Sequence, residues 1–181
     1  MKKSVISAFI AGVLSLAAGG AFASDGTITF NGALTATTCT INGNGTSSKN
    51  FSVDLPTIST STLVKAGDTA GDTGYSIALS QCAPVTGSSK ASVFYEAGTT
   101  VDLADGRLKV AAGGAQNVKL ELLNEDESLI KAGSARDLQN SKPADISSGG
   151  ATLRYIVRYY ATGATSAGPA NSSVVYSIDY Q

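Results

Sequence analysis

The sequence contains no histidine and no tryptophan, and it has only two cysteines and four prolines in 181 residues. Without histidine, the chain lacks the usual general base, proton shuttle and imidazole metal ligand. Two cysteines cannot supply the four Cys or His ligands of a common tetrahedral zinc site. These absences argue against catalysis and against metal binding.

Charge is also sparse. Charged residues make up 15% of the chain, and the net charge is −1 with both signs interspersed. Nucleic acids and anionic membrane surfaces attract proteins that carry clustered positive charge, which this sequence lacks. We therefore expect no nucleic-acid partner.

Motifs for catalysis are missing as well. Neither a G-x-S-x-G elbow nor an S-x-x-K motif stands in a setting suited to a nucleophile. The acidic run Glu125-Asp126-Glu127 lacks the ligand spacing and turn glycine of a calcium loop, and it is predicted to be a solvated turn. Two carboxylates can meet in space as in a glycosidase, but nothing marks such a pair. We expect a protein that is not an enzyme, with no catalytic residue, no metal and no cofactor.

The N-terminus has the order of a secretory signal peptide. Lys2 and Lys3 precede an apolar stretch from Val5 to Ala18, and Ala21-Phe22-Ala23 provides a small-x-small cleavage site. The apolar stretch is shorter than the roughly 20 residues that span a bilayer. We expect residues 1–23 to be a signal peptide and the rest to be one domain.

The two cysteines, Cys39 and Cys82, would then reach an oxidising compartment. Paired cysteines in such a compartment form a disulfide by default. Closing a loop of this length constrains the unfolded chain by about 4 kcal/mol. We expect a structural disulfide between them.

Short alternating runs separated by turn residues recur along the chain, as in an antiparallel sandwich rather than in helices or βαβ units. The predicted strands are Thr27–Leu34, Ala36–Ile41, Asn50–Leu55, Tyr75–Ser80, Ser92–Glu96, Arg107–Val110, Asn117–Asn124, Ser128–Lys131, Leu153–Tyr160 and Ser173–Tyr180. Between them, Pro56–Gly74 is predicted to be a long loop with one helical turn near Thr62–Lys65.

The alternation of apolar and polar residues also predicts which side chains face the core. The clearest sets are Tyr75/Ile77/Leu79, Val118/Leu120/Leu122, Leu153/Tyr155/Val157/Tyr159 and Val174/Tyr176/Ile178/Tyr180. Arg154 and Arg158 fall on the opposite face from the third set. Tyr155, Tyr159 and Tyr160 could form a sugar-stacking platform, but at strand spacing packing is favoured.

The two ends of the mature chain are the most informative segments. Near the first, apolar Ile28, Phe30 and Leu34 alternate with polar residues, and Gly32 interrupts the same face. Alone, this pattern predicts an ordinary edge strand. At the other end the sequence stops one residue after the alternating run Val174–Tyr180, which predicts an unpaired edge or an uncovered groove.

Together these features resemble the type 1 and P pilus subunit family. The residues that carry the resemblance are the stretch Gly26-Thr27-Ile28-Thr29-Phe30-Asn31-Gly32 leading to Cys39, then Tyr75-Ser76-Ile77-Ala78-Leu79-Ser80-Gln81-Cys82, then Gly168 and the penultimate Tyr180. The match covers essentially the whole mature chain. The central part, roughly residues 96–150, follows no pattern of the family closely, as is usual for variable surface loops.

The resemblance implies an all-β, incomplete immunoglobulin-like sandwich of six strands that lacks its last strand and carries an N-terminal donor strand extension over residues 24–35, before a domain over 36–181. In such pilins a periplasmic chaperone, and then the extension of the next subunit, fills the open groove by β-strand addition. Carried over, Ile28, Phe30, Gly32 and Leu34 would insert into a neighbour. Val174, Tyr176, Ile178 and Tyr180 would border the groove and pair with the chaperone.

The function implied is that of a structural subunit of a fimbria on the bacterial cell surface, reached through the periplasm. Its partners would be identical or related pilin subunits joined head to tail, a periplasmic chaperone and an outer-membrane usher. A major shaft pilin is the first expectation. The alternatives are a minor adaptor and a lectin-like adhesive subunit that binds host-cell glycans.

Overall fold

A computed structural model describes residues 36–83 and 88–181, together with residues 28, 29, 32 and 34. The chain divides into two units, Met1–Ala33 and Leu34–Gln181, and the fold described here is that of the second. The predicted signal peptide and Phe30 of the predicted donor strand lie outside the described residues.

The described part is all-β apart from two short helical turns. Its strands are β1 (Thr38–Gly43), β2 (Thr69–Ala83), β3 (Lys90–Tyr95), β4 (Val101–Asp102), β5 (Arg107–Lys109), β6 (Val118–Asn124), β7 (Leu129–Ile130), β8 (Ala144–Asp145), β9 (Ala151–Ala161) and β10 (Tyr176–Tyr180). A 3-10 turn spans Thr60–Thr62, and helix α1 spans Arg136–Gln139. Strands β4, β5, β7 and β8 have only two or three residues, so six longer strands form the framework.

The strands form two antiparallel sheets that enclose one main core. The larger sheet has the order β1-β2-β9-β6-β5-β4, with β7 also paired to β6, and the smaller has the order β10-β3-β8. This arrangement confirms the predicted all-β sandwich. The long strands β2 and β9 pair from Thr69 with Tyr160 to Leu79 with Ala151, interrupted by one bulge after Ala70.

The apolar alternation predicts the core correctly. The sets that begin at Tyr75, Val118 and Leu153 are buried, except for half-buried Tyr159, while Arg154 is exposed on the opposite face. The disulfide joins Cys39 at the start of β1 to Cys82 at the end of β2, as predicted. Within the described ranges, no helix is long and apolar enough to cross a membrane.

Several boundaries differ from the prediction for identifiable reasons. The predicted loop Pro56–Gly74 ends early, because Thr69–Gly74 pair with β9 in spite of their polar composition. Its helical turn lies at Thr60–Thr62, two residues earlier than predicted. The two-residue strands β4 and β8 and the helix α1 were not predicted, since elements of this length carry no periodicity.

The predicted strand Asn50–Leu55 is wrong in one respect. The segment alternates as expected, with Phe51, Val53 and Leu55 half-buried and the residues between them exposed. It is not a strand, however, because it joins no hydrogen-bonded ladder. Likewise, of the predicted run Ser173–Tyr180, only Tyr176–Tyr180 belong to β10.

Candidate functional site

Among the described strands, β10 lies at the edge of the smaller sheet and pairs with β3 alone. Its last neighbour, Gln181, exchanges two backbone hydrogen bonds with Lys90, at 2.8 and 2.9 Å. In an antiparallel ladder, hydrogen-bonded pairs alternate with pairs whose backbone groups point outward. Tyr176, Ile178 and Tyr180 are of the second kind, so their N–H and C=O groups point away from β3.

The same residues turn their side chains toward the core. Val174, Tyr176, Ile178 and Tyr180 are all half-buried and pack against the main core cluster. Since period-two alternation puts neighbouring side chains on opposite faces, Val175 lies on the outer face, where 71% of it is exposed. With respect to the described residues, the edge of β10 therefore offers both unpaired main-chain groups and incompletely covered apolar side chains.

The segment of residues 49–58 lies across from this edge. Phe51, Val53 and Leu55 are half-buried against the same core. Among the described residues, no backbone N–H from residues 51–58 donates a hydrogen bond to protein. The N–H groups of residues 51–58 therefore have no partner among the described residues, and this segment meets β10 through the contacts of Lys49 and Phe51 with Tyr176. We call the space between this segment and β10 the open cleft.

Three tyrosine hydroxyls hold the walls of the open cleft. Tyr176 donates to the carbonyl oxygen of Lys49 at 2.7 Å, and Tyr180 accepts from the backbone N–H of Cys39 at 3.1 Å. Farther along, Tyr159 donates to the carbonyl oxygen of Pro56 at 3.2 Å. The bonds of Tyr176 and Tyr159 hold the two ends of residues 49–56 in place of a strand ladder, and the bond of Tyr180 joins β10 to β1.

Two glycines allow this arrangement. A Cβ on Gly43 would lie 1.9 Å from the ring of Phe51, so that ring packs directly on the backbone of β1. Gly168 has φ of +151°, and a Cβ there would lie 3.0 Å from the backbone nitrogen of Ala115. Gly168 thereby brings the segment before β10 close to the loop that precedes β6.

The other edge of β3 is closed. Strand β8 pairs with Lys90 and Ala91 of β3. Along the rest of this edge, side chains form hydrogen bonds with the main chain of β3. Gln139 accepts from the backbone N–H of Tyr95 at 2.6 Å and donates to its carbonyl oxygen at 3.0 Å. Tyr155 accepts from the N–H of Val93 at 3.3 Å. As far as the described part of the chain shows, the long open edge of the smaller sheet is that of β10.

Sequence reasoning missed Gln139, which is 1% exposed. A single glutamine in a polar loop gives no periodic signal that would mark it as buried. It also missed Glu121, whose side chain lies between Arg107 at 2.6 Å and Arg158 at 2.9 Å on the outer face of the larger sheet. Because Glu121 lies between Leu120 and Leu122 in β6, the alternation of that strand could have predicted that it faces outward.

An aromatic cluster fills the core behind the open cleft. The hydroxyls of Tyr75 and Tyr95 are 2.7 Å apart, and the ring of Tyr155 lies 5.6 Å from that of Tyr75. Burial raises the pKa of all three hydroxyls above the ordinary value, and it also raises the pKa of Tyr176. The cluster therefore stays neutral across the physiological range and serves as packing, as predicted for Tyr155.

The described residues offer little that could bind a ligand or a metal. No three His, Cys, Asp or Glu side chains in that part of the chain are placed to hold a metal ion. Two shallow cavities of about 330 and 350 Å³ flank Arg154. Asp126, which lines one of them, is already paired with Lys142. The ring of Tyr160 is covered by Arg107, whose guanidinium carbon lies 3.7 Å from the ring centroid. Glu125, Asp126 and Glu127 form the turn between β6 and β7.

The predicted donor residues that can be described lie outside any strand. Ile28 and Leu34 are exposed, and nothing lies within 4 Å of the position where Gly32 would carry a Cβ.

Comparisons with known proteins agree with this arrangement. Residues 55–181 match the family model described as FimA, type-1 fimbrial protein A. The chain is 40% identical to the F17 fimbrial protein of Escherichia coli, over 96% of this chain and 97% of that protein. It is 41% identical to the major fimbrial subunit SMF-1 of Stenotrophomonas maltophilia strain K279a, over 87% of this chain and 94% of that protein.

Solved structures with a similar fold include two fimbrial proteins. The Burkholderia pseudomallei antigen and type I fimbria protein BPSL1626 matches with a TM-score of 0.56 and 27% identity, over 80% of this chain and 98% of that one. The P pilus rod subunit PapA matches with a TM-score of 0.60 and 16% identity, over 79% of this chain and 99% of that one. The second likeness concerns the fold alone.

Proposed function

This chain belongs to the type-1 fimbrial protein family and is a structural pilin subunit of a surface fimbria, and from that premise we propose that it polymerises by donor-strand exchange. In this proposal residues 1–23 are removed as a signal peptide. Residues 24–35 form the donor strand, and residues 36–181 form the domain that accepts the donor strand of a neighbour. The protein works by assembly and carries out no catalysis.

The observation that carries the proposal is the open cleft. Within the described residues it has one row of outward-pointing main-chain groups on β10, at Tyr176, Ile178 and Tyr180, and one row of unpaired N–H groups on the other side, from residues 51–58. A strand added between them would satisfy both rows and cover the half-buried apolar side chains below. The extension supplies such a strand, because Ile28, Phe30 and Leu34 recur at period two.

The side chains of the cleft favour one direction and one register. If the donor runs antiparallel to β10, Leu34 faces Val174 and Gly32 faces Tyr176. Phe30 then faces Ile178, and Ile28 faces Tyr180. The glycine thus meets the tyrosine whose ring already crosses the cleft to Lys49.

Parallel alignments fit the same cleft less well. With Ile28 against Val174, the large ring of Phe30 would meet Tyr176. With Gly32 against Tyr176, Ile28 would meet polar Ser172. Only the antiparallel register gives every inward donor residue an apolar partner and keeps the glycine at a tyrosine that bridges the cleft.

Burial of three large apolar donor side chains supplies the driving force. At about 1.5–3 kcal/mol for each side chain, the gain is on the order of 5–9 kcal/mol before the cost of ordering the strand. A donor on one subunit and a cleft on the next make a head-to-tail contact that does not close on itself, which yields a filament. In the periplasm, a chaperone strand would occupy the cleft first, and an outer-membrane usher would exchange it for the donor of the next subunit.

The test compares two single substitutions in the full chain. Phe30→Asp puts a charge on the inward face of the donor strand, whereas Thr29→Asp puts the same charge on its outward face. We expect cells with the first variant to show no fibres in electron micrographs and cells with the second to show normal numbers. Normal fibres from Phe30→Asp would contradict the proposal.

A complementation experiment separates the donor from the cleft. Ile178→Asp puts a charge into the cleft, and Ser173→Asp, at an exposed position before β10, is its matched control. The Ile178→Asp subunit keeps its donor strand, and the Phe30→Asp subunit keeps its cleft. The donor strand of the first should therefore insert into the cleft of the second and stop growth there. Co-expression of Ile178→Asp and Phe30→Asp should therefore give dimers and no fibres, and the absence of dimers would argue against strand exchange.

A further inference from the structure

Two Asn-Gly pairs stand next to each other where β1 ends, Asn42-Gly43 and Asn44-Gly45. In such a pair the glycine nitrogen can attack the side-chain amide carbon of the asparagine, because glycine has no Cβ to hinder the approach. The attack expels ammonia and closes an imide ring, which water then opens to aspartate or isoaspartate. This reaction is one reason why asparagine is a thermolabile residue.

The two glycine nitrogens have different surroundings. The N–H of Gly43 donates to the carbonyl oxygen of Ser48 at 2.7 Å. Gly43 is also buried, and a Cβ there would lie 1.9 Å from the ring of Phe51. Among the described residues, the N–H of Gly45 donates to no protein acceptor, and nothing lies within 4 Å of its Cβ position. The nitrogen of Gly45 is therefore free to react, whereas that of Gly43 is held.

The two asparagine side chains differ in the same direction. Asn42 is half-buried, and its Oδ1 accepts from the backbone N–H of Ser47 at 3.1 Å. Asn44 is exposed, and its side-chain amide has no hydrogen-bond partner within the part of the chain that the structure describes. Ring closure at Asn42 must therefore break the hydrogen bonds to Ser47 and Ser48, whereas ring closure at Asn44 breaks neither.

A tight turn presents Asn44 and Gly45 to solvent. Their φ angles are +49° and +74°, and the N–H of Thr46 donates to the carbonyl oxygen of Gly43 at 3.0 Å. Positive φ at both central residues is the pattern of a type I′ turn, for which Asn-Gly is a preferred sequence. To react, Asn44 must rotate out of this conformation. An exposed turn held by few hydrogen bonds opens locally more often than a buried strand end.

We propose that Asn44 is a site of spontaneous deamidation in the folded subunit and in the assembled fibre, and that Asn42 is protected. A bond forms between the nitrogen of Gly45 and Cγ of Asn44, and the bond from Cγ to the side-chain nitrogen breaks. That nitrogen leaves as ammonia with the proton of the Gly45 amide. Water then adds to one of the two imide carbonyls and opens the ring. The inference does not depend on donor-strand exchange.

The modification changes both the charge and the main chain of this turn. Each product carries a new carboxylate, and isoaspartate also inserts a side-chain carbon atom into the main chain. Asn44 lines a shallow cavity together with Glu125 and Arg154, so the new charge enters that cavity. A longer main chain between Gly43 and Thr46 does not fit the hydrogen bond of the turn. We therefore expect the amide of Thr46 to exchange faster with solvent after deamidation.

The test incubates the folded subunit and purified fibres at neutral pH and follows deamidation by peptide mass spectrometry. Electron-transfer fragmentation distinguishes aspartate from isoaspartate, and it separates Asn44 from Asn42 and from the third pair, Asn31-Gly32. We expect position 44 to react on the order of tenfold faster than position 42, because ring closure at Asn42 first breaks two hydrogen bonds. In denaturant the two rates should be equal, since a glycine follows both asparagines.

Asn44→Gly is the matched variant, because glycine accepts the positive φ of this turn and has no amide to lose. Incubation should leave the exchange rate of its Thr46 amide unchanged, while that of the wild-type chain rises. Equal rates at positions 42 and 44 in the folded chain would overturn the proposal. It would also be overturned if position 44 stayed intact over a period that converts it in denaturant.

Discussion

The hydroxyl of Tyr176 donates a hydrogen bond to the carbonyl oxygen of Lys49 at 2.7 Å and so joins the two walls of the open cleft. The ring of Tyr176 lies 6.2 Å from that of Phe51, edge to face. In the proposed antiparallel register, the donor strand would pass this point at Gly32, which has no side chain. The bond thus gives a physical reason for a glycine at position 32.

The first prediction pairs these two residues. Gly32→Leu should abolish fibres, because its side chain would collide with the ring of Tyr176. Tyr176→Ala removes the ring and should restore fibres to the Gly32→Leu chain in part, as counted by electron microscopy. Tyr180→Ala is the control, and rescue by that variant to the same extent would place Gly32 elsewhere in the cleft.

A second prediction concerns the glycine beneath Phe51. Gly43→Ala would place a methyl group 1.9 Å from the ring of Phe51, so the ring must move. Overpacking of this kind costs about 1–3 kcal/mol in the free energy of unfolding. The control is Gly74→Ala, since nothing lies within 4 Å of its Cβ position. Equal losses in chemical denaturation for both variants would mean that the Gly43–Phe51 contact has no special role.

A third prediction concerns the closed edge of β3. Gln139→Leu keeps the bulk of the side chain but leaves the N–H and C=O of Tyr95 without the amide partner. We expect a loss of about 2–4 kcal/mol in the free energy of unfolding, because buried polar groups then lack their hydrogen bonds. Hydrogen exchange of the Tyr95 amide should also become faster. The exposed Gln116→Leu should alter neither quantity, and an unchanged Tyr95 exchange rate in Gln139→Leu would contradict the role given to Gln139.

A fourth prediction follows from the ion pair between Asp126 and Lys142. Hydrogen bonds from Lys142 and Ser128 lower the pKa of Asp126 to about 2 in the folded chain, against about 3.9 in an unfolded one. The carboxylate therefore stabilises the fold above about pH 4, and this contribution is lost as the pH falls through 2.

The measurement is the melting temperature as a function of pH. Asp126→Asn should melt below the wild-type chain at pH 6, and the two should converge at about pH 2. Glu127→Gln in the same turn is the control. A difference between wild type and Asp126→Asn that persists unchanged at low pH would rule out the ion pair as its source.

Much of the fold was predictable because the core strands alternate strictly. Leu153, Tyr155 and Val157 are buried while Arg154 is not, as period two requires. The segment around Phe51 shows where this reasoning fails. Alternation reports which side chains face the core, but a strand also needs a neighbour for its main chain, and no single run of sequence reveals whether that neighbour exists.

The candidate site was predictable only in part. Val174, Tyr176, Ile178 and Tyr180 were assigned to the edge of a groove by resemblance to pilins, and all four are half-buried against the core. The opposite wall could not be predicted, because it depends on tyrosine hydroxyls bonding to Lys49 and Pro56 across more than 100 residues of chain. The role of Gln139 could not be predicted either, since it depends on a single long-range contact, with Tyr95.

The most direct test of donor-strand exchange is a high-resolution cryo-electron microscopy map of the assembled fibre. The account predicts density for residues 28–34 of one subunit in the open cleft of its neighbour, antiparallel to β10, with Gly32 beside Tyr176. Density that places those residues within their own domain, or a cleft that stays empty beside β10, would contradict it.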